Sequence, residues 1–514
     1  MIYIFQREIL AMPSTLLLTG HTLTRSDFYD VTLGNRRVGL APAAHRAMQR
    51  SRAVIEKMIE AKQVVYGVTT GVGSLSTERI DPDQARQLQL NVVRSHSCGV
   101  GEPLDRAETR GLMLLRANGL ATGLSGIRPV IAETLCKLLN HGIHPVVPRR
   151  GSVGASGDLA PLAHMALTLV GEGDVEFEGR PKRARDALKR ARVKPVRLEA
   201  KEGLSLVNGT QAMLSLGLLA LRQAEYLADS ADVAGSLSLD ALRGSPAAFD
   251  PRLHAARPHP GQSLVARNLD RLNRGSQIRR SHRGCARVQD AYSLRCMPQV
   301  HGAARDALDY SRRVLEVEMN SVTDNPLVFY REQEVISGGN FHGQPLAAAL
   351  DFMAIGLAYL SGIAERRIDR MVNPLTSDLP PFLTRKPGLE SGLMLAQVTA
   401  AALASENKLL AHPASVDSIP TSGNKEDYVS MGMTAALKLR QILQNLTAIL
   451  AIELVAACQA IDLLAPLQTG TLARKAQRLV REVSPAIYED RALSAEITRV
   501  GELVASGKIA AVLP

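Results

Sequence analysis

The 514-residue sequence has no tryptophan, and aromatic residues make up only 4% of it. A platform for stacking bases is therefore poorly supplied, which counts against nucleic-acid binding despite a formal net charge of +11. The basic residues are dispersed, apart from the stretch EGRPKRARDALKRARVKPVR at 178–197. They read as a solvated basic surface that can attract a carboxylate substrate. Five cysteines, Cys98, Cys136, Cys285, Cys296 and Cys458, are few, odd in number and without CxxC spacing. That pattern excludes a disulfide framework and points to the cytoplasm. No His, Cys or Asp grouping has metal-ligand spacing, since His141 and His144 sit just before Pro145 without a second pair, and no metal is expected.

Signal and membrane segments are wanting as well. The opening MIYIFQREILAMP is short and broken by Arg7 and Glu8, unlike a signal peptide, and Met12 offers an alternative start. One run, LTAILAIELVAACQAIDLLA at 446–465, is apolar on nearly every face. A membrane span needs about twenty apolar residues with few charges. Glu453 and Asp462 interrupt this run, so it reads as the central helix of a bundle.

At 46% hydrophobic and 22% charged, the composition is that of an ordinary globular protein, long enough for two or more regions. Residues 1–115 read as a smaller mixed α/β N-terminal region, and 116–514 as long helices. The fold class expected is mainly α, with an elongated central bundle. The strongest helical patterns are 345–373, 391–411 and 431–465, and a thirty-residue helix is about 45 Å long. Apolar helix faces in excess of one subunit's needs favour oligomers. KQVVYGVTTGVGSLS at 62–76 predicts a strand running into a Gly-rich loop. Three polar islands, 149–161, 337–345 and 412–427, interrupt the helices, and loops held by rigid elements are where chemistry concentrates.

The first island contains GSVGASGDLAPLAH. It is no phosphate-binding loop, because no Gly-Lys-Ser/Thr follows the glycines. It is no nucleophile elbow either, because Asp158 stands where Gly-x-Ser-x-Gly needs its last glycine. A tight Ala155-Ser156-Gly157 turn has chemistry of its own. The unhindered Gly157 nitrogen can attack the Ala155 carbonyl if strain presses them together, and Ser156 can lose its hydroxyl as water. The product is an electron-poor alkene made without an external cofactor.

GSVGASGDLAPLAH resembles the corresponding loop of the histidine/phenylalanine ammonia-lyase family, and the resemblance runs from about Leu33 to Gly507. It implies that Ala155, Ser156 and Gly157 cyclise autocatalytically into a 4-methylidene-imidazol-5-one (MIO) group. Tyr66, in VVYGVTTGVGS, becomes the base that takes the substrate's β-proton. A free phenol has a pKa of about 10, so that role requires surroundings that favour the phenolate. Asn208, in LVNGTQ, becomes a hydrogen-bonding partner near the electrophile. In VQDAYSLRCMPQVHGA, Arg295 becomes the clamp for the substrate carboxylate, Tyr292 a support for the ring and Gln289 a polar positioning group. Phe341, in GGNFHGQP, lies against the substrate. His301 and His342 read as structural, and 316–329 carries no catalytic assignment. The family pattern usually has phenylalanine at the position of Val72, a departure that implies a small packing change.

Two places select the amino acid. Ser95-His96 follows the histidine-lyase pattern within the family, and His96 can bond an imidazole nitrogen. Glu426, in SVDSIPTSGNKEDYVSMG, matches the glutamate of histidine lyases, although Gly423, Lys425 and Tyr428 depart from the usual wording around it. The resemblance thus implies a carbon–nitrogen lyase that converts L-histidine to trans-urocanate and ammonia, the first step of histidine degradation. It also implies a homotetramer whose sites combine residues from three subunits. The alternatives are a tyrosine or phenylalanine lyase or aminomutase, a catalytically silent helical scaffold, and a nucleic-acid binder. Intact-protein mass spectrometry separates the scaffold from the enzymes. The wild-type mass should fall short of the sequence mass by two waters, and Ser156→Ala should abolish both that deficit and activity.

Overall fold

The computed structural model describes residues 14–81, 83–282 and 288–513. The opening segment with Met12, and Cys285, lie outside the described residues. The chain forms two compact units that interleave along the sequence. The first draws on residues up to Leu219, Arg313–Ala348 and Pro413–Ala436, and the second on Ala220–Arg312, Ala349–His412 and Leu437 onward.

Helices dominate, and their ends follow local chemistry. Thr24 and Asp105 each begin a helix, Arg25–Thr32 and Arg106–Ala121, through a reciprocal box with Asp27 and Glu108. Helix Pro129–His141 starts on proline and stops where Gly142 turns left-handed. The described strands are short and all belong to the first unit. Leu16–Leu18 pairs in parallel with Val38–Leu40. Val100–Pro103 pairs antiparallel with Pro148–Arg150, and Asp174–Phe177 lies between His144–Pro145 and Arg180–Arg183. The basic stretch begins in this last hairpin and continues into helix Ala184–Ala191. Glu178 there pairs with Lys182 and Arg190.

Three predicted helices are present as Gln344–Val372, Met394–Leu410 and Gly432–Leu463. The first and last are long and apolar enough to cross a membrane, but 67% and 78% of their apolar windows are buried within the protein. The strand expected over 62–76 is absent. Residues 66–69 form a turn in which Gly67 takes φ +65°, and the Thr69 hydroxyl bonds back to the Val65 nitrogen and the Gln63 carbonyl. Side chains that satisfy the local backbone in this way compete with sheet pairing.

The second unit holds a buried polar network. Arg367 and Glu453, both fully buried, make a two-pronged ion pair of 2.5 and 3.0 Å, and Ser238 donates to the same carboxylate at 2.7 Å. His301 donates from Nδ1 to Asp232 at 2.8 Å and accepts at Nε2 from Arg367 at 3.1 Å. Burial lowers the His301 pKa below its ordinary value, which suits a neutral ring between those partners. Breaking a buried pair strands a charge and costs about 3–5 kcal/mol, whereas replacing both members is far cheaper. Glu453→Leu should therefore lower stability by about that amount in urea unfolding. Arg367→Met combined with Glu453→Leu should recover most of the loss, and additive losses would contradict this reading.

Candidate active site

Gly154 and Gly157 bridge across a chain reversal that puts Ser156 at its tip. Ser156 has φ +50°, a left-handed conformation that costs a non-glycine residue on the order of 1 kcal/mol. Gly157 is pressed so closely on Gly209 that a side chain there would run into the Gly209 carbonyl. Hydrogen bonds lock the contact: Asp158 donates its N–H to the Gly209 carbonyl at 2.7 Å, and Gly209 donates to the Ser156 carbonyl at 3.2 Å. The Asp158 carboxyl, fully buried, then accepts from the Met213 N–H at 2.9 Å and the Ser152 hydroxyl at 3.2 Å.

Four helices begin around this reversal, at Leu159, Gln211, Gln344 and Gly432. Their first turns meet at Met213 and Ser430. A side chain at Gly343 or Gly432 would strike the Met213 sulfur, and one at Gly154 the Ser430 hydroxyl. The N–H groups of a helix's first turn have no partner within the helix and carry a partial positive charge, so the region favours anions.

The reversal borders a cavity of about 930 Å³ in the first unit. All three polar islands reach it, through Ala155 and Ser156, through Phe341 and His342, and through Ser422, Lys425, Glu426 and Asp427. Tyr66, His96 and Asn208 complete the set of expected residues that line it. The Gly73 N–H donates to the Tyr66 phenolic oxygen at 2.9 Å, which stabilises negative charge on that oxygen. Ser156 Oγ donates to Glu426 Oε1 at 3.4 Å, and Thr421 Oγ1 donates to Oε2 at 2.9 Å. His96 ends helix Ala85–His96 with Ser95 Oγ 3.1 Å from its Nδ1. Burial pulls its pKa below the ordinary value, against the opposing Val92 backbone contact and the Glu426 charge.

Gln289, Tyr292 and Arg295 lie in the second unit and do not line this cavity. Gln289 and Arg295 border a separate depression with Ser245, Asp290 and Gln299. The Arg295 guanidinium lies 4.6 Å from the centre of the exposed Tyr292 ring, and its Nε is buried without a partner among the described residues. His342, read as structural from sequence, lines the cavity and stacks on Tyr428. Its Nδ1 accepts from the Gln344 N–H and its Nε2 donates to the Tyr428 carbonyl. Thr421 escaped the sequence reading altogether. It holds Glu426 by a hydroxyl and by two backbone bonds across a tight turn, and its only signal was the Pro-Thr-Ser-Gly turn composition before the glutamate. Among the described residues no group of three or more His, Cys, Asp or Glu could hold a metal ion.

With a mainly helical fold and a cavity built on an Ala-Ser-Gly reversal, the chain belongs to the aromatic amino acid lyase family, whose pattern matches residues 23–482, and it is a carbon–nitrogen lyase. It is 57% identical to the histidine ammonia-lyase of Koribacter versatilis (strain Ellin345), covering 96% of this chain and 99% of that one. Among solved structures, the crystal structure of histidine ammonia-lyase from Trypanosoma cruzi is 43% identical with a TM-score of 0.90, covering 97% of this chain and 95% of that one. Tyrosine aminomutase from Streptomyces globisporus is 39% identical with a TM-score of 0.92, covering 97% and 98%.

Asp158 carries a pH signature. Burial pushes its carboxyl up to about 7, although the Met213 and Ala212 N–H groups and Ser152 favour the carboxylate. The folded state therefore keeps a proton that the unfolded chain releases near 3.8, so stability should fall by about 4 kcal/mol as pH rises from about 4 to about 7, then level off. In thermal unfolding across that range, Asp158→Asn should show a flatter pH dependence than wild type. Parallel curves would refute the assignment.

Proposed function

We propose that the chain eliminates ammonia from L-histidine to give trans-urocanate, opening histidine degradation in the cytoplasm. The observation that carries this reading is Glu426 and His96 lining one cavity with Ser156, the carboxylate being held against the serine. Imidazole offers both a donor and an acceptor. Glu426 can only accept, and His96, kept neutral by burial, supplies the complementary bond. Relatives named histidine ammonia-lyase support the same substrate, two of them at 57% and 53% identity over nearly the whole chain.

The family's MIO group would come from Ala155, Ser156 and Gly157, and these residues fit it. The chain already doubles back between Gly154 and Gly157, Ser156 is held left-handed, and the Gly157 α-carbon has no room for a side chain. When formed, that group supplies an electrophilic alkene for the substrate amine, turning ammonia into a better leaving group. The remaining work falls to the chain's own side chains. Tyr66 receives the β-proton at its phenolic oxygen, beside the donating Gly73 N–H. Phe341 closes the cavity wall beside the substrate. Asn208 adds a polar contact near the electrophile. Arg295 grips the substrate carboxylate with its planar guanidinium. Tyr292 and Gln289 flank Arg295, and all three reach the cavity from another subunit of a homotetramer. Abstracting a weakly acidic proton is the hard step, and oriented dipoles at the converging helix starts lower its cost.

Incubating the pure protein with histidine, tyrosine and phenylalanine separately tests the substrate, because urocanate absorbs ultraviolet light distinctly from cinnamate and coumarate. Histidine alone should be consumed, and turnover confined to tyrosine or phenylalanine would sink the His96–Glu426 assignment. Tyr66→Phe should lower kcat by about 10²–10⁴-fold, the usual contribution of a positioned base.

A further inference from the structure

Asn208 has one committed end and one end without a partner among the described residues. It is 3% exposed and lines the cavity, yet its Oδ1 is buried without a partner among the described residues. Its amide nitrogen donates to Asp324 Oδ1 at 3.3 Å and to the Asn325 carbonyl at 3.1 Å. An amide with both hydrogens spent on one wall cannot turn over without losing both bonds.

Asp324 decides which end is committed. It is buried and accepts from Lys201 Nζ at 3.0 Å and from the Asn325 N–H at 2.7 Å. Lys201 is fully buried too, and its ammonium also donates to Ser205 Oγ at 2.9 Å. Burial opposes charge on Asp324, but Lys201 and Arg116 more than offset it and hold its carboxyl below the ordinary range. An ionised carboxylate can only accept, so it must face the amide nitrogen of Asn208 and never the oxygen. The backbone brings the three groups together. Lys201, with φ +73°, immediately precedes the short helix Glu202–Val207, and Asn208 immediately follows it. Both ends of that helix are thereby tied to the one carboxylate, and Arg116 fixes the main chain by donating to the Asn208 carbonyl at 2.8 Å.

We infer that the buried Lys201–Asp324 pair is a positioning device that locks the Asn208 amide so that its acceptor oxygen, not its donor nitrogen, serves the cavity. This rests on the lyase reading above and refines it. An acceptor there engages the N–H groups of the substrate amine and repels its carboxylate, which is left to Arg295.

The test is a double-mutant cycle on the full-length protein, with kcat referred to the fraction of chains that have lost two waters by intact mass. Lys201→Met with Asp324→Asn removes the two paired charges together and lets the Asn208 amide take either orientation, while Arg116 keeps its bonds to the Asn208 carbonyl and Gln211. We expect kcat for histidine to fall at least tenfold with KM changed less than threefold, and Asn208→Ala to add little further loss in that background. Wild-type kcat in the paired variant, or losses that multiply with Asn208→Ala, would overturn the inference. A second measurement leaves the pair intact: a crystal structure of Ser156→Ala soaked with histidine should show the substrate nitrogen within hydrogen-bond distance of the Asn208 side-chain oxygen. A substrate carboxylate oxygen there would refute the proposal. If wild type ignores histidine but consumes another aromatic amino acid, the substrate assignment fails alone, and the same cycle is run with that amino acid.

Discussion

The contact between Gly157 and Gly209 is the constraint on which the site depends. A side chain at Gly157 would run into the Gly209 main chain, and one at Gly209 into Arg116, Gln211 and Thr323, so glycine at both positions lets the 154–158 reversal lie directly against the start of helix Gln211–Ala241. From that contact follow the backbone bonds that hold Ser156 left-handed and the burial of Asp158 against Met213. A reversal free in solvent would relax. Seated on the end of a 31-residue helix, it stays put. The neighbouring Asn208 amide and the Lys201–Asp324 pair extend the same rigid footing to one side of the cavity.

Electrostatics around that footing comes from two opposed effects. Four converging helix starts favour negative charge, while burial disfavours charge of either sign. At Asp158, deep beneath the reversal, burial wins and the carboxyl binds its proton up to about 7. At Asp324, equally buried, a nearby ammonium and guanidinium reverse the outcome. At His96 burial wins again and keeps the ring neutral. Buried groups thus adopt different charge states because their partners differ.

Substrate choice sits on a much smaller piece of structure than the fold. Solved neighbours named for histidine elimination and for tyrosine rearrangement have nearly the same TM-score against this chain. The backbone therefore does not discriminate between amino acids, and side chains on the loops do. In this chain the proposed selectors are His96 at a helix end and Glu426 on a turn braced by Thr421.

The sequence by itself determined the long helices, because apolar residues repeating every three to four positions over about thirty residues leave little freedom. The ends of 345–373 and 431–465 agree with Gln344–Val372 and Gly432–Leu463 to within two residues. It also marked the candidate reactive loop, since the chemistry proposed for Ala155-Ser156-Gly157 is contiguous in the chain. Tyr66 illustrates where local reading ends. A β-branched run suggested a strand, but glycine at 67 and the Thr69 hydroxyl turn the backbone instead. Only the tertiary structure decided that three distant loops share one cavity, that Arg295 belongs to a different unit from Ser156, and that Lys201 meets Asp324 across 123 residues. A local pattern records periodicity and turn chemistry, whereas which side chains meet is set by how helices pack after the chain has returned on itself several times.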